Sequence, residues 1–358
     1  MDDFSTGGQC FYPACIQSAL HLRIYFLHKL FVFLLWRQFL SLTKVLCQGK
    51  FIRCQKNRTC NFFILIKECF RMSKTVPPLA VGAVAKVYNN PPEVYLKRIT
   101  DYGVNVCQLG GVAENLLFGR DRTENIRRLK NELQARDISV TSVWIPFRNQ
   151  RWGFYEAPLA IGMIPPTTRA ECMLRGCMTC QLAAELGVDV IGAHVGFIPQ
   201  EDGDFYRRFV EDMRHFLEYC QNLGQTFIFE TGQEPVAVLE RLFKDLDMPN
   251  IGLNFDTANL LLYNFDDPAV LVDKLGEKVI NTHIKDGCRP TQPARLGTEA
   301  FFGEGEANIA ELIRRLYREK NYTGPLIIER EIDGDQQLID VRKTVEILEN
   351  IRKELGVE

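Results

Sequence analysis

Long uncharged apolar runs, glycine-rich phosphate turns and internal repeats are all missing from this sequence of 358 residues. The most apolar stretch, Ile16 to Leu42, is interrupted by Arg23, Lys29 and Arg37, whereas a membrane-spanning helix needs roughly 20 consecutive apolar residues. We therefore predict no membrane span. Without a glycine-rich turn after the first predicted strand, a doubly wound nucleotide-binding sheet is disfavoured.

An excess of positive charge is also missing from most of the chain. Residues 1–71 contain ten Lys or Arg and three acidic residues, and the whole chain carries a net charge of −2, so residues 72–358 carry −9. Proteins that bind nucleic acid rely on clustered basic residues to neutralise phosphates. We therefore predict no nucleic-acid partner for the main part of the chain.

Residues 1–71 differ from the rest in composition and contain half of the chain's 12 cysteines. We expect no secretory signal ahead of them. We expect a disordered or mis-assigned extension, with Met72 as the functional start; the alternative is a basic amphipathic segment for targeting or for a membrane surface. The Cys177-Met-Thr-Cys180 motif lies in a helical pattern and is interpreted as packing, and the remaining thiols suggest a reducing, cytoplasmic location.

From Met72 onward, short apolar runs alternate with amphipathic stretches, a pattern typical of βα units. Glycines after three helical patterns, at Gly187, Gly224 and Gly324, are placed to close helix ends. We predict one domain over 72–358 with the α/β fold of a (β/α)8 TIM barrel, which typically has about 250 residues. Eight predicted strands support it: Leu79–Val84, Val104–Leu109, Ser139–Trp144, Val188–His194, Thr226–Glu230, Gly252–Asp256, Val279–His283 and Leu326–Glu329.

The last four of these strands each end on a side chain that can bind a metal, namely Glu230, Asp256, His283 and Glu329. Carboxyl ends of barrel strands meet at one face, so these groups should converge. Side chains alternate along a strand. If the four face the barrel axis, their neighbours Phe229, Phe255, Ile284 and Ile328 face the helices, and all of these are apolar.

Three carboxylates and one imidazole suit a single divalent metal ion, with Mn²⁺ preferred and Mg²⁺, Co²⁺, Fe²⁺ or Zn²⁺ as alternatives. Such an ion could polarise an α-hydroxy-carbonyl group, while Glu230 and Glu329 remove and return a proton. Taken singly, polar residues at strand ends could instead have a purely structural role. Asp256 could cap a helix, and His194 at the end of the fourth strand could be satisfied by backbone.

Five sequence motifs carry a family resemblance between about Leu79 and Glu331. They are Phe229-Glu-Thr-Gly-Gln-Glu234, Asn254-Phe-Asp-Thr-Ala-Asn259, Thr282-His-Ile-Lys-Asp286, Gly303-Glu-Gly305 and Ile328-Glu-Arg-Glu331. The region resembles the xylose isomerase-like TIM barrels of the sugar phosphate isomerase/epimerase superfamily. That resemblance implies the metal ligands and acid/base pair named above, and substrate contacts from His194, Lys285 and Glu234.

The sequence departs from this family at Asn259, where many epimerases carry a histidine three residues after the metal aspartate. Asn259 keeps a hydrogen-bonding group for substrate but cannot ionise. Endonuclease IV relatives need a histidine-rich trinuclear zinc site, and only three histidines follow residue 71. Trp144, Phe147 and Trp152 could stack on a sugar or simply pack in the core. The long connection from Gly287 to Glu306 is expected to be functional.

Three functions remain open on the sequence. The first is a metal-dependent isomerase or epimerase of a sugar, keto-sugar or polyol derivative, acting through an enediolate. The second is a lyase or dehydratase that uses the same metal and bases on a keto-sugar. The third is a non-catalytic sugar-binding protein. In each case we expect a small carbohydrate as partner, and the chain could form a homo-oligomer.

Overall fold

The computed structural model describes residues 76–88, 90–148, 150–151, 157–293 and 295–357. The predictions for residues 1–71 and for Trp152 lie outside these ranges.

Eight parallel strands close into a barrel, each paired with the next barrel strand along the chain, and the last paired with the first. The prediction of a (β/α)8 barrel is confirmed. The barrel strands are β1 (Val81–Lys86), β2 (Val106–Gly110), β3 (Ser139–Trp144), β4 (Val190–Ala193), β5 (Thr226–Glu230), β6 (Ile251–Asp256), β7 (Val279–Ile284) and β10 (Leu326–Ile328).

Helices lie between the strands and cover the outside of the barrel, with short helical turns in several of the loops. They are α1 (Pro92–Asp101), α2 (Glu114–Leu117), α3 (Arg122–Ala135), α4 (Ala157–Ala160), α5 (Pro166–Leu186), α6 (Asp204–Asn222), α7 (Val236–Leu246), α8 (Asn259–Leu262), α9 (Pro268–Leu275), α10 (Ile309–Lys320) and α11 (Gly334–Glu354); a 3₁₀ turn spans Gly276–Lys278. None of the helices in the described ranges combines the length and the apolar character that a bilayer crossing requires.

Helix ends follow the glycine pattern in two of three places. Gly187 closes α5 with φ +76° and Gly224 follows α6 with φ +69°, both in the left-handed region that glycine adopts without strain. The expectation for Gly324 is wrong, because Asn321 takes the left-handed conformation at the end of α10 instead. Asparagine tolerates this region better than other residues with a side chain.

The barrel strands separate an outer apolar layer from a mixed interior. Phe229, Phe255, Ile284 and Ile328 belong to the main core formed with the surrounding helices, as the alternation predicts. Inside the barrel a small apolar cluster of Ala80, Val106 and Ile327 occupies one level. Buried amides and ionisable groups follow toward the carboxyl ends of the strands.

The connection after β7 is partly ordered by its own strands. Asp286–Cys288 (β8) pairs antiparallel with Thr298–Ala300 (β9), which the sequence did not predict. The carboxylate of Asp286 accepts hydrogen bonds from the backbone amides of Gly287, Gly303 and Ala307. This loop is therefore anchored immediately beside the carboxyl end of β7.

Candidate metal centre

Four side chains converge at the carboxyl ends of four neighbouring strands, β5, β6, β7 and β10. They are Glu230, Asp256, His283 and Glu329, each offering one ligand atom, and these atoms all lie within 4.8 Å of one another. The structure thus brings together the four residues that the strand-end pattern selected. Three of the four residues are buried and Glu329 is half-buried, so the cluster is accessible from the mouth of the barrel.

His283 lies at the centre of the cluster. Its Nδ1 atom is 2.9 Å from Glu230 Oε1, 3.3 Å from Glu329 Oε2 and 3.8 Å from Asp256 Oδ2. The ring of Trp144 stacks on the imidazole with a centroid separation of 5.0 Å. Both contacts orient the ring so that Nδ1 faces the carboxylates.

Asp256 uses its two oxygens differently. Oδ1 accepts hydrogen bonds of 2.8 Å from the backbone amides of Ala258 and Asn259 at the start of α8. Oδ2 is buried and has no hydrogen-bond partner among the described residues. Asp256 therefore caps the start of α8 through Oδ1, the structural role that the sequence suggested. Through Oδ2 it also faces the cluster.

Ionisation in the cluster is governed by the competition between burial and neighbouring charge. Burial raises the pKa of Asp256 to about 7; the charge of Lys285 opposes this shift, and the charges of Glu329 and Glu230 add to it. For Glu329, burial also opposes ionisation, but His283 and Lys285 hold its pKa well below the usual range. Among the three carboxylates, Asp256 is thus the one whose ionisation the surroundings disfavour.

The donor set fits a divalent cation. Three carboxylate oxygens and one imidazole nitrogen are ligands that Mn²⁺, Mg²⁺ and similar ions accept, and open positions would remain for substrate oxygens. The buried Oδ2 atom of Asp256 has no hydrogen-bond partner among the described residues, and the pKa of this carboxyl is raised; a cation would resolve both features. Glu230, Asp256, His283 and Glu329 are thus the residues that could hold such an ion.

Two cationic side chains lie against the carboxylates. Lys285 Nζ is buried and lies 2.9 Å from Glu329 Oε2, 2.6 Å from Glu331 Oε2 and 3.6 Å from Asp256 Oδ2. His194 Nε2 is 2.7 Å from Glu230 Oε2. Burial disfavours the charged His194 ring, but the charge and hydrogen bond of Glu230 raise its pKa. Each acid/base candidate therefore has its own cationic neighbour.

A cleft of about 740 Å³ opens above the cluster. Glu230 and Glu329 lie at its floor, and its walls include His194, Lys285 and Asn259. Its volume is in the range of small-molecule sites, which is about 300–1,000 Å³.

Trp144 and Phe147 also line the cleft. Only 9% of Trp144 is exposed, and one face of its ring is taken up by His283. Its indole nitrogen is buried and has no partner among the described residues. The structure thus gives Trp144 a packing role and leaves an N–H donor beside the cleft.

Glu234, the remaining predicted contact, is not brought to the cleft. It is 2% exposed and does not appear among the lining residues. Its Oε1 atom has no hydrogen-bond partner among the described residues, and burial raises its pKa to about 8. Its neighbour Gly232 packs so tightly against Asn259 that a β-carbon would collide with it.

Sequence reasoning missed two site residues on the first two strands. Lys86 ends β1 and lines the cleft, with no ion pair to any described carboxylate. Gln108 lies on β2 with its amide nitrogen 2.7 Å from His283 Nε2. A lysine that ends an apolar strand, and a single amide within the run Val-Cys-Gln-Leu, were the sequence features that could have revealed them.

Solved structures share this fold over most of the chain. A xylose isomerase domain protein from Planctomyces limnophilus is 28% identical, with 78% of this chain and 99% of that chain covered and a TM-score of 0.73. A xylose isomerase-like TIM barrel protein from Mycobacterium smegmatis, solved with magnesium, is 16% identical at 78% and 97% coverage, with a TM-score of 0.60. A 3-keto-D-glucoside 4-epimerase from E. coli is 15% identical at 76% and 99% coverage, with a TM-score of 0.57.

The search of curated proteins produced no match. The family profile described as the xylose isomerase-like TIM barrel matches residues 96–353, which is more than half of the chain and includes all four clustered residues. The resemblance drawn from the sequence motifs is thereby confirmed, and this chain belongs to the xylose isomerase-like TIM barrel family.

Proposed function

We propose that this protein is a divalent-metal-dependent isomerase or epimerase that acts on a sugar, keto-sugar or polyol derivative. The observation that carries the proposal is the convergence of Glu230, Asp256, His283 and Glu329 within 4.8 Å at the floor of an open cleft. Family membership and the likeness to a 3-keto-D-glucoside 4-epimerase and to a magnesium-bound barrel support it. Mn²⁺ is our first candidate for the ion, and Mg²⁺, Co²⁺, Fe²⁺ and Zn²⁺ follow.

A bound divalent cation would polarise adjacent hydroxyl and carbonyl oxygens of the substrate. It would thereby acidify the hydrogen on the hydroxyl-bearing carbon next to the carbonyl. Glu230 and Glu329 come from β5 and β10, at the two ends of the arc of ligand strands. We assign them to proton removal and return on the two sides of the resulting enediolate. Without an ion, burial opposes the ionisation of both, but His194 and His283 lower the pKa of Glu230, and His283 and Lys285 lower that of Glu329. His194 and Lys285 remain as cationic neighbours when His283 is a metal ligand.

Other cleft residues are assigned to substrate binding. His194 and Lys285 can donate to substrate oxygens, and Asn259 can donate or accept without ionising. The indole N–H of Trp144 offers a further donor beside the cleft. Lys86 adds a cation without a carboxylate partner among the described residues. This polar lining fits a polyhydroxylated ligand better than an apolar one.

The same residues could instead expel a group from a keto-sugar, which would make the protein a lyase or dehydratase. Incubation in D₂O with a panel of keto-sugars and each metal distinguishes the two. Deuterium incorporated at a sugar carbon without loss of any group from the substrate supports the isomerase, whereas release of water or of an aglycone supports elimination. The experiment uses the full chain, stripped with a chelator and then reloaded.

Two variants test the assigned bases. Removing a positioned general acid or base typically costs about 10²–10⁴ in rate, so Glu230→Gln and Glu329→Gln should each lose at least about 10²-fold in activity. Glu218→Gln on α6 is the matched control, since that side chain is 61% exposed and is not among the residues that line the cleft. Unchanged function in both site variants, in a chain that binds no metal, would favour a non-catalytic sugar-binding protein.

A further inference from the structure

A buried polar network lies directly beneath the candidate metal centre, inside the barrel. Gln108 on β2 is at its centre and is 1% exposed. Its amide nitrogen is 2.7 Å from His283 Nε2, and its amide oxygen is 3.0 Å from Ser142 Oγ and 3.1 Å from Asn281 Nδ2. Asn281 is in turn hydrogen-bonded to Asn254. The network thus joins four strands to one nitrogen of His283.

The two nitrogens of His283 have different surroundings. Nδ1 faces the carboxylates of Glu230 and Glu329 at 2.9 and 3.3 Å, so Nδ1 is the atom available to a metal. A neutral imidazole that gives one nitrogen to a metal carries its proton on the other. Nε2 must then donate, and the Gln108 amide is the one described side-chain group within hydrogen-bond distance of it.

We propose that Gln108 is a positioning residue for the metal centre: its amide oxygen accepts the Nε2 proton of His283 and holds Nδ1 toward the ion. This inference rests on the proposed metal centre. An amide oxygen and nitrogen are nearly equal in size, so the partners decide which way the group points. In the metal-bound protein, the Gln108 oxygen therefore faces His283 and its nitrogen faces Ser142 and Asn281.

The other side chains of the network can follow this orientation and keep their contacts with one another. The hydroxyl of Ser142 can accept as well as donate. Asn281 can turn its oxygen to Gln108 and to Asn254, which then donates through its own nitrogen. Each hydrogen bond between these side chains keeps its two residues and reverses its direction, and only the 3.4 Å contact from Asn281 Nδ2 to the backbone oxygen of Thr282 is given up. The network can therefore fix the tautomer of His283 as a metal ligand, in addition to filling the interior of the barrel.

Two substitutions at position 108 should differ in their effect on metal binding if the orientation of the amide matters. Gln108→Leu keeps the volume but removes the acceptor. Gln108→Glu offers only acceptors, and the donors already present on Ser142, Asn281 and His283 can satisfy all of them. A carboxylate on the outer nitrogen of a ligating histidine is a favourable arrangement. Loss with leucine and retention with glutamate would thus separate positioning from packing.

The test measures affinity for Mn²⁺ alone, on the full chain, by competition with a fluorescent chelator. Loss of such an outer partner typically weakens metal binding about 10–100-fold, and we expect that for Gln108→Leu. Gln108→Glu should stay within about 3-fold of wild type or bind more tightly. Gln225→Leu is the matched control, because Gln225 is also 1% exposed but donates to the backbone oxygen of Cys180. This control should bind like wild type.

Wild-type affinity in Gln108→Leu would overturn the proposal. Equal weakening in Gln108→Leu and Gln225→Leu would also overturn it, since general loss of packing would then explain both. So would a Gln108→Glu variant that binds Mn²⁺ as weakly as Gln108→Leu. A wild-type chain that binds none of the divalent ions would instead refute the metal centre itself, which separates failure of this inference from failure of the proposed function.

Discussion

Glu234 should destabilise the folded protein increasingly as the pH rises, so that Glu234→Gln becomes more stabilising at higher pH. The carboxyl is 2% exposed, one oxygen has no hydrogen-bond partner among the described residues, and the other is bonded by the backbone of Ile198. Burial, which outweighs this hydrogen bond, raises its pKa from 4.5 to about 8. The folded protein therefore holds a proton here that the unfolded chain releases.

The magnitude follows from proton linkage. A raised pKa in the folded state gives stability that is complete below pH 4.5 and is lost as the pH rises through about 8. Each pH unit between these values costs about 1.4 kcal/mol. Glutamine has the shape of the protonated acid but does not ionise. Between pH 5.5 and 7.5, the gain in unfolding free energy from Glu234→Gln should therefore grow by about 3 kcal/mol.

The assay is urea denaturation of wild type and Glu234→Gln at pH 5.5 and 7.5, with a chelator present throughout. All other titrating groups are common to both proteins, so they cancel in the difference. Glu218→Gln, at an exposed position on α6, should change the unfolding free energy by less than about 0.5 kcal/mol at either pH. A gain from Glu234→Gln that is the same at both pH values, or larger at pH 5.5, would refute this prediction.

Three further predictions concern the cleft. Gly232→Ala should cost about 2–4 kcal/mol of stability and raise KM, because the backbone has φ +130° and the new methyl would collide with Asn259. Urea midpoints and the kinetics of the metal-reloaded protein check this. A fully stable variant would contradict it. Asp286→Ala removes the acceptor of three backbone amides of the loop after β7. Limited proteolysis should therefore cut that loop at least about 5-fold faster than in wild type. Equal cleavage rates would show that the Asp286 carboxylate is not needed to hold the loop. Lys86→Met should raise KM about 10-fold or more, because loss of a charged hydrogen bond costs roughly 1.5–3 kcal/mol. The affinity for metal should stay within about 2-fold of wild type. Reduced metal content would place Lys86 in the metal centre instead.

The sequence alone was sufficient for the barrel and for the set of clustered residues. Short apolar runs separated by amphipathic stretches identify strands and helices through their periods, and parallel strands of a barrel all end at one face. Strand-end residues such as Asp256 and His283 could therefore be placed together without coordinates. Alternation along each strand also predicted which neighbours pack outward, because the side-chain period in a strand is two.

Contacts across the barrel could not be predicted in the same way. The contact between Gln108 and His283 joins residues 175 positions apart in sequence, and it depends on strand register and barrel closure, which local patterns do not contain. The burial of Glu234 away from the cleft, beside the motif that suggested a substrate contact, is likewise a consequence of how the loop after β5 packs. The sequence by itself determined the fold and the chemical type of the site, since both arise from local periodicity and residue type. Only the tertiary structure decided which oxygen of Asp256 is free, which nitrogen of His283 faces the carboxylates and which polar groups hold them, because these depend on distances of a few ångströms between strands.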